Sequence, residues 1–255
     1  MMMSMPAWSV GALCSGTVLA VLLGVFLRKS RTESRRTVLL LLNLLALVAA
    51  GLRIGLWGRT AGTFVPQTDL PLSADVICVL LGLAALLFRN RLLYHFSYYV
   101  TLPVGLLALL FPIGPEGDLP LWDPQRITYF ITWTLLVVGG ILVYALDLFR
   151  ADTVRFFVSE GMAVALACVA YGVNRLLAPA NYLYVSAPEN SPLLCALWAW
   201  IPVPVLYLFP VFLAVLIFGA LLSVPEWIRR GVECRQPKYI TLTEYKEETR
   251  KGRPS

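Results

Sequence analysis

Long apolar runs separated by short polar clusters make up most of the chain. A helix needs about 20 mainly apolar residues to cross the roughly 30 Å hydrocarbon layer of a bilayer, and seven runs fit that length. Each run is continuously apolar and does not alternate with a period of two, which favours helices over the strands of an outer-membrane barrel. The pattern predicts an all-α, polytopic membrane protein with seven transmembrane helices, at about residues 7–27, 37–57, 70–88, 92–113, 127–149, 156–178 and 201–224.

The composition narrows the function classes. Hydrophobic residues are 58% of the chain and charged residues 14%, whereas soluble domains have roughly 45–50% and about 25%. Soluble enzymes, nucleic-acid binders and disulfide scaffolds are therefore excluded. The cysteines fall in different spans or on opposite sides, with no CxxC and no metal-like spacing. We expect no metal, no cofactor and no nucleic-acid partner.

The basic residues predict the orientation, because Lys and Arg near helix ends are retained on the cytoplasmic side. Of the 21 Lys and Arg residues, 17 lie in alternate polar segments: five in the first loop, two in the third, two in the fifth and eight in the C-terminal tail. The other side has four, namely Arg53, Arg59, Arg126 and Arg175. The N-terminus is therefore expected outside and the C-terminus in the cytoplasm, in the plasma membrane.

Two segments depart from the pattern of long spans. Residues 1–224 are expected to form the transmembrane domain and residues 225–255 a basic, partly disordered cytoplasmic tail, which is either a docking arm or a solvated anchor. Residues 192–210 contain four prolines, at positions 192, 202, 204 and 210. Prolines at this density break helices, so an interfacial or re-entrant segment is expected before the last span.

Ionisable groups inside the spans are costly and are candidates for function. Near the cytoplasmic ends, His95, Asp147 and Glu160 form a predicted inner polar cluster, with snorkelling or local pairing as the alternative. In the outer half, Arg53, Asp75, about 7 Å into its span, and the Asn174-Arg175 pair share one depth.

These outer residues are expected to converge on a polar pocket. A carboxylate between two arginines would hold a phosphate or carboxylate headgroup. The predicted pocket also includes Ser73 at the start of the third span and three residues of the loop after the sixth, namely Asn181, Tyr182 and Tyr184. In the alternative, Asp75 neutralises one arginine and the pair is structural.

From the third span onward the chain resembles the YwaF-like family of bacterial integral membrane proteins, relatives of the eukaryotic transmembrane protein 164, a lipid acyltransferase. The resemblance covers roughly residues 65–225. It rests on Leu70-Pro71-Leu72, on RNRLLY at 89–94 and ALLFP at 108–112, and on Asn174 followed by Asn181-Tyr182-Leu183-Tyr184. The family's seven-span topology agrees with the spans counted above.

The resemblance implies an acyltransferase site that this chain lacks. In the family, the LPL motif is followed by a His and, two residues later, a Cys, which acts with a His from the fifth span. Here these positions hold Ser73 and Asp75, and the fifth span has Thr132 and Trp133 where the His is expected. The single His of the chain, His95, is expected at the opposite side of the membrane from Cys78. Because a thiolate needs a base within hydrogen-bond reach, a Cys/His mechanism is not supported.

Three functions follow from these residues. The first is a non-catalytic lipid-binding or accessory subunit of a membrane complex, with membrane lipids and other membrane subunits as partners. The second is a lipid acyltransferase or related hydrolase that uses a site centred on Asp75. The third, a small-solute transporter, ranks last because polar groups near the middle of the membrane are sparse.

Overall fold

The computed structural model describes residues 7–61, 70–112, 123–188 and 191–235. Within these ranges the protein is all-helical and contains no strand. The α-helices are α1 (Ala7–Leu27), α2 (Thr32–Ala61), α3 (Ala74–Phe88), α4 (Arg91–Leu110), α5 (Pro124–Ala145), α6 (Thr153–Leu176), α7 (Pro192–Trp200) and α8 (Phe209–Arg235). Two 3₁₀ turns, Tyr182–Tyr184 and Leu206–Leu208, flank α7. The all-α part of the predicted fold class is confirmed.

Six of the described helices are long and apolar enough to cross a membrane: α1, α2, α4, α5, α6 and α8. The predicted third span corresponds to α3, which has only 15 residues because Leu70 to Ser73 precede its first turn. Large apolar side chains project outward from these helices, among them Phe26, Phe88 and Leu176, which are 79%, 78% and 86% exposed. Such a surface suits hydrocarbon better than water, and the protein is a multi-pass membrane protein.

Helix α5 is the centre of the bundle, with α1, α2 and α4 packed around it. In their most apolar windows, 72% of the residues of α4 and of α5 are buried, against 22–28% for α1, α2 and α6. Helix α4 approaches the backbone of α5 closely at Gly140. A Cβ there would lie 2.9 Å from the Cβ of Leu102 and 3.0 Å from the carbonyl oxygen of Ser97, so only glycine lets α4 and α5 pack this tightly.

Helix α4 contains one turn of π-helix, Ser97–Thr101. Proline has no N–H group, so Pro103 cannot donate to the carbonyl of Tyr99 four residues earlier. The N–H of Leu102 reaches back five residues to Ser97 instead. The wider turn is buried throughout and brings Val100 to the wall of the cavity described below.

Arginines at the start of α2 tie several helix ends together. Arg35 donates to the carbonyl of Leu27, the last residue of α1, at 3.1 Å and to that of Leu146, just after α5, at 2.9 Å. Arg36 donates to the carbonyls of Leu86 and Leu87 at the end of α3. The loops that carry the predicted cytoplasmic charges therefore meet at one end of the bundle.

The predicted last span has different bounds in the structure. Prediction began it at residue 201, but residues 201–205 are non-helical and α8 begins at Phe209. Pro202 and Pro204 lack the N–H groups that a helix needs there. Residues 222–255 form a second unit, of which the end of α8, helical to Arg235, is described. The predicted boundary between residues 224 and 225 falls inside this helix, and the rest of the predicted tail lies outside the described residues.

Candidate functional site

An ion pair joins α2 to the start of α3. Nη2 of Arg53 lies 2.5 Å from Oδ2 of Asp75, and the two side chains are 12% and 4% exposed. The guanidinium carbon of Arg53 also lies 5.7 Å from the centroid of the Tyr129 ring, in the range of a cation–π contact. The Tyr129 hydroxyl donates to the carbonyl of Ala108 at 3.0 Å, so the ring under Arg53 is itself held in place.

A cavity of about 200 Å³ extends from this ion pair into the bundle. We call the end formed by Arg53, Ser73 and Asp75 the polar end. Nearly all the other lining side chains are apolar. They come from α3 to α8 and from the loop between α6 and α7, and they include Ile77, Val104, Leu107, Phe111, Trp133, Ala163, Leu166, Leu193, Leu194 and Phe212.

Ser73 is the residue before the first turn of α3, a position where serine usually accepts a hydrogen bond from a backbone N–H of that turn. Its side chain makes no such bond. The hydroxyl oxygen is buried and, among the described residues, has no hydrogen-bond partner. Within a helix, successive side chains are rotated by about 100°, so residues two positions apart point to different faces. Ser73 precedes the helix, so this rotation does not apply to it, and Ser73 and Asp75 both line the cavity.

The loop after α6 is held by two asparagines. The Asn174 side chain donates to the carbonyl of Tyr182 and to the hydroxyl of Ser186, both at 3.0 Å, and accepts from the N–H of Tyr182 at 2.8 Å. Asn181 bonds the backbone of Ser186 and Ala187. The hydroxyl of Tyr182 accepts from the N–H of Leu70 at 3.2 Å. Asn174, Asn181 and Tyr182 were predicted to bind a headgroup, but in the structure they shape the loop. None of these three side chains lines the cavity.

The same loop places Leu183 and Tyr184 against the cavity. Both have positive φ angles, 55° and 56°, a conformation that costs a non-glycine residue of order 1–3 kcal/mol. The Tyr207 hydroxyl donates to the carbonyl of Tyr184, and the N–H of Val205 donates to the carbonyl of Val185 at 2.8 Å. Hydrogen bonds from the segment after α7 therefore keep this loop in its strained form.

Arg175 is the predicted site residue that the structure places elsewhere. It lies one residue after the buried Asn174 but is exposed, and it does not line the cavity. Of the predicted outer pocket, the structure brings Arg53, Ser73, Asp75 and Tyr184 to one cavity. Asp75 was expected to lie between Arg53 and Arg175, and in the structure its partner of these two is Arg53.

The three residues of the predicted inner cluster have different surroundings. His95 is fully buried, with Nδ1 2.6 Å from the carbonyl oxygen of Arg91 and its ring packed on Phe149 at 4.6 Å between centroids. Glu160 is buried and Asp147 is exposed in the turn after α5. No hydrogen bond or ion pair among the described contacts joins the three. Across the described ranges, no group of three His, Cys, Asp or Glu side chains could hold a metal ion.

Sequence reasoning missed several cavity residues. Cys78 lines the cavity one turn after Asp75 on the same face of α3, a position that the helical repeat could have shown. Tyr129 and Trp133 face the cavity from α5. They are four residues apart, a spacing that places both side chains on one face of the helix and could have indicated them together. No spacing rule could have found the side chains of α7, because the described segments before and after it are not α-helical and the helical repeat does not carry through them.

Comparison with known proteins places the chain in a family. No curated protein and no solved structure matches it. The TMEM164 family matches residues 2–222, a range that includes α1 and α2, where the sequence motifs gave no resemblance. This match covers most of the chain and confirms the relationship to transmembrane protein 164 that the motifs indicated. The chain belongs to the TMEM164 family.

Proposed function

We propose that this protein binds the acyl chain of a membrane lipid in the cavity, does not catalyse acyl transfer, and acts as a lipid-binding subunit of a plasma-membrane complex. The observation that carries the proposal is the apolar cavity with a single polar end. A cavity of this form matches the two parts of an amphiphile, because one end offers charged and hydroxyl groups and the remainder offers hydrocarbon.

The size of the cavity supports an acyl chain as the occupant. An apolar cavity of about 150 Å³ binds benzene, and this one measures about 200 Å³. Cavity energies scale at about 24 cal/mol per Å³, so hydrocarbon that filled about 200 Å³ would contribute about 5 kcal/mol. This gain is enough to retain a lipid segment that already resides in the membrane.

The family relationship also supports this cavity as the lipid-binding site. The resemblance implies a His at the position of Ser73 and a catalytic Cys at the position of Asp75, and both positions line the cavity. In this chain an ion pair with Arg53 replaces the nucleophile. The polar end is therefore retained, while the group that would attack an acyl ester is replaced by a carboxylate bound to an arginine.

The position of the single histidine supports a non-catalytic role. His95 packs among aromatic rings, including Tyr99 and Phe149, and it does not line the cavity beside Cys78. A thiol acts as a nucleophile when a base lies within hydrogen-bond reach. The lining residues offer no imidazole for this purpose.

We further propose seven membrane spans, with α3 as a short third span, the N-terminus outside and the C-terminus in the cytoplasm. The bonds from Arg35 and Arg36 support this topology, because they gather the basic loops at one end of the bundle. Positive residues are retained on the cytoplasmic side. The polar end of the cavity then faces the outer leaflet, since Arg53 and Asp75 lie far from those loops along α2 and α3.

One observation favours the alternative, a lipid acyltransferase with a changed site. Cys78 lies in the cavity wall one turn from Asp75. This alternative requires that purified protein transfers an acyl group from a lipid donor and that Cys78→Ala abolishes the transfer. If the protein only binds lipid, it should transfer no acyl group, and Cys78→Ala should leave the bound lipid in place.

The proposal is tested by filling the cavity. Ala163 of α6 lines the cavity, whereas Ala165, two residues later, is exposed. Ala163→Phe places an aromatic ring in the space assigned to the acyl chain, so native mass spectrometry of the detergent-solubilised protein should show at least a tenfold loss of co-purifying lipid. Ala165→Phe adds the same ring to the outer surface and should leave bound lipid unchanged. Equal lipid retention by the two variants would overturn the proposal.

A further inference from the structure

The charge balance of the polar end points to the class of lipid. Building on the proposed function, we propose that the polar end holds an uncharged hydroxyl-bearing group, such as the glycerol hydroxyls of a monoacylglycerol, and discriminates against a phosphate or a free carboxylate. The sequence had indicated an anionic headgroup instead, because Arg53 and Arg175 were both expected at this site.

The charges that line the cavity cancel. Arg53 and Asp75 are the charged residues in its described lining, and they are paired with each other. An anion at the polar end must approach Arg53 beside the Asp75 carboxylate, and the resulting excess negative charge is costly where water is scarce. An uncharged group carries no such cost.

The other arginines of this region do not alter the balance. Arg175 is exposed and lies outside the lining. Arg126 is buried one turn before Tyr129, but it too is absent from the lining, and it has interactions of its own. Among the described lining residues there is thus no second cation to offset an anionic ligand.

The hydrogen-bonding groups also fit a hydroxyl. An ionised carboxylate such as Asp75 only accepts hydrogen bonds, whereas the Ser73 hydroxyl both donates and accepts. The Ser73 oxygen is buried at the polar end without a partner among the described residues. A glycerol hydroxyl can donate to Asp75 and exchange a bond with Ser73, whereas the ionised oxygens of a phosphate or a carboxylate only accept and cannot donate to Asp75.

The test measures selectivity with three probes that share one chain: 1-oleoylglycerol, oleate and oleoyl lysophosphatidate. Purified full-length protein in detergent should bind 1-oleoylglycerol at least tenfold more tightly than either anion. Asp75→Asn removes the carboxylate and leaves Arg53 charged, so the order should reverse, with oleate bound roughly tenfold better than 1-oleoylglycerol, as expected for one charge-assisted hydrogen bond.

Two further variants keep the test independent of how well Asp75→Asn folds. The double variant Arg53→Gln with Asp75→Asn removes both charges, and its preference for the uncharged probe should persist. Ser73→Ala should weaken 1-oleoylglycerol binding several-fold, whereas Ser34→Ala, on the exposed start of α2, should not. Tighter or equal binding of an anion by the unmodified protein would overturn the selectivity alone, while no binding of any oleoyl probe would overturn the proposed function.

Discussion

Replacing Asp75 with Asn should lower the free energy of unfolding by about 3–5 kcal/mol, because it removes the carboxylate that pairs with the buried Arg53 guanidinium. The Arg53 and Asp75 side chains are 12% and 4% exposed, so water cannot readily take the place of the lost carboxylate. An unfolding titration with SDS in mixed micelles measures the change. The loss should be smaller in the double variant Arg53→Gln with Asp75→Asn, in which neither charge remains.

Glu33→Gln is the matched control for this change. Glu33 pairs with Arg89 at 2.9 Å at the other end of the bundle, but both side chains are about two-thirds exposed, at 66% and 65%. Exposed pairs contribute at most about 1 kcal/mol, so the control should cost little. If Asp75→Asn costs no more than Glu33→Gln, the ion pair is not the buried link between α2 and α3 described here.

The second large effect is expected at Asn174. Asn174→Ala removes two donated bonds and one accepted bond, and it leaves the buried N–H and carbonyl of Tyr182 without these partners. An unsatisfied buried polar group costs about 1–3 kcal/mol, so the total loss should reach about 2–5 kcal/mol. The same SDS titration reports it, and limited proteolysis between residues 181 and 188 should become faster.

Asn181→Ala provides the comparison within the same loop. Asn181 also makes three hydrogen bonds to the loop backbone, but it is only half-buried, and water can replace part of what is lost. Its expected cost is about 1 kcal/mol. Equal costs for the two alanine variants would contradict the role of Asn174 as the anchor of the loop.

Hydropathy predicted the helices well because the bilayer imposes a length on each apolar run. The runs at 7–27 and 156–178 correspond to α1 and α6 within three residues. The beginning of α8 could not be placed in the same way. The segment at 201–208 is as apolar as a span, and its prolines break the helix without changing its hydropathy.

The ion pair was predictable and the rest of the site was not, for a geometric reason. Counting residues along a helix predicts the depth of a side chain, and it predicted one depth for Arg53, Asp75 and Arg175. This predicted depth does not give the direction in which a side chain points around the helix, which depends on the packing of its neighbours. Arg53 and Asp75 face each other, whereas Arg175 faces outward.

The signature at Asn174 and at residues 181–184 has a structural use that composition could not reveal. Asparagine and tyrosine are common ligand-binding residues, which is why these positions were predicted to contact a headgroup. In the fold, the Asn174 side chain substitutes for a backbone partner across the loop. Only Leu183 and Tyr184 of that stretch, with Val185, reach the cavity.

The most direct test of acyl-chain binding is photo-crosslinking with a monoacylglycerol whose chain carries a diazirine, followed by peptide mapping. We expect labels on cavity residues such as Leu107 of α4 and Leu166 of α6, and we expect Ala163→Phe to abolish them. Labels on outward-facing residues such as Phe88 should persist in that variant, because the surrounding lipid reaches them directly. Labelling confined to the outer surface, or unchanged at Leu107 and Leu166 in Ala163→Phe, would contradict a lipid site inside the bundle.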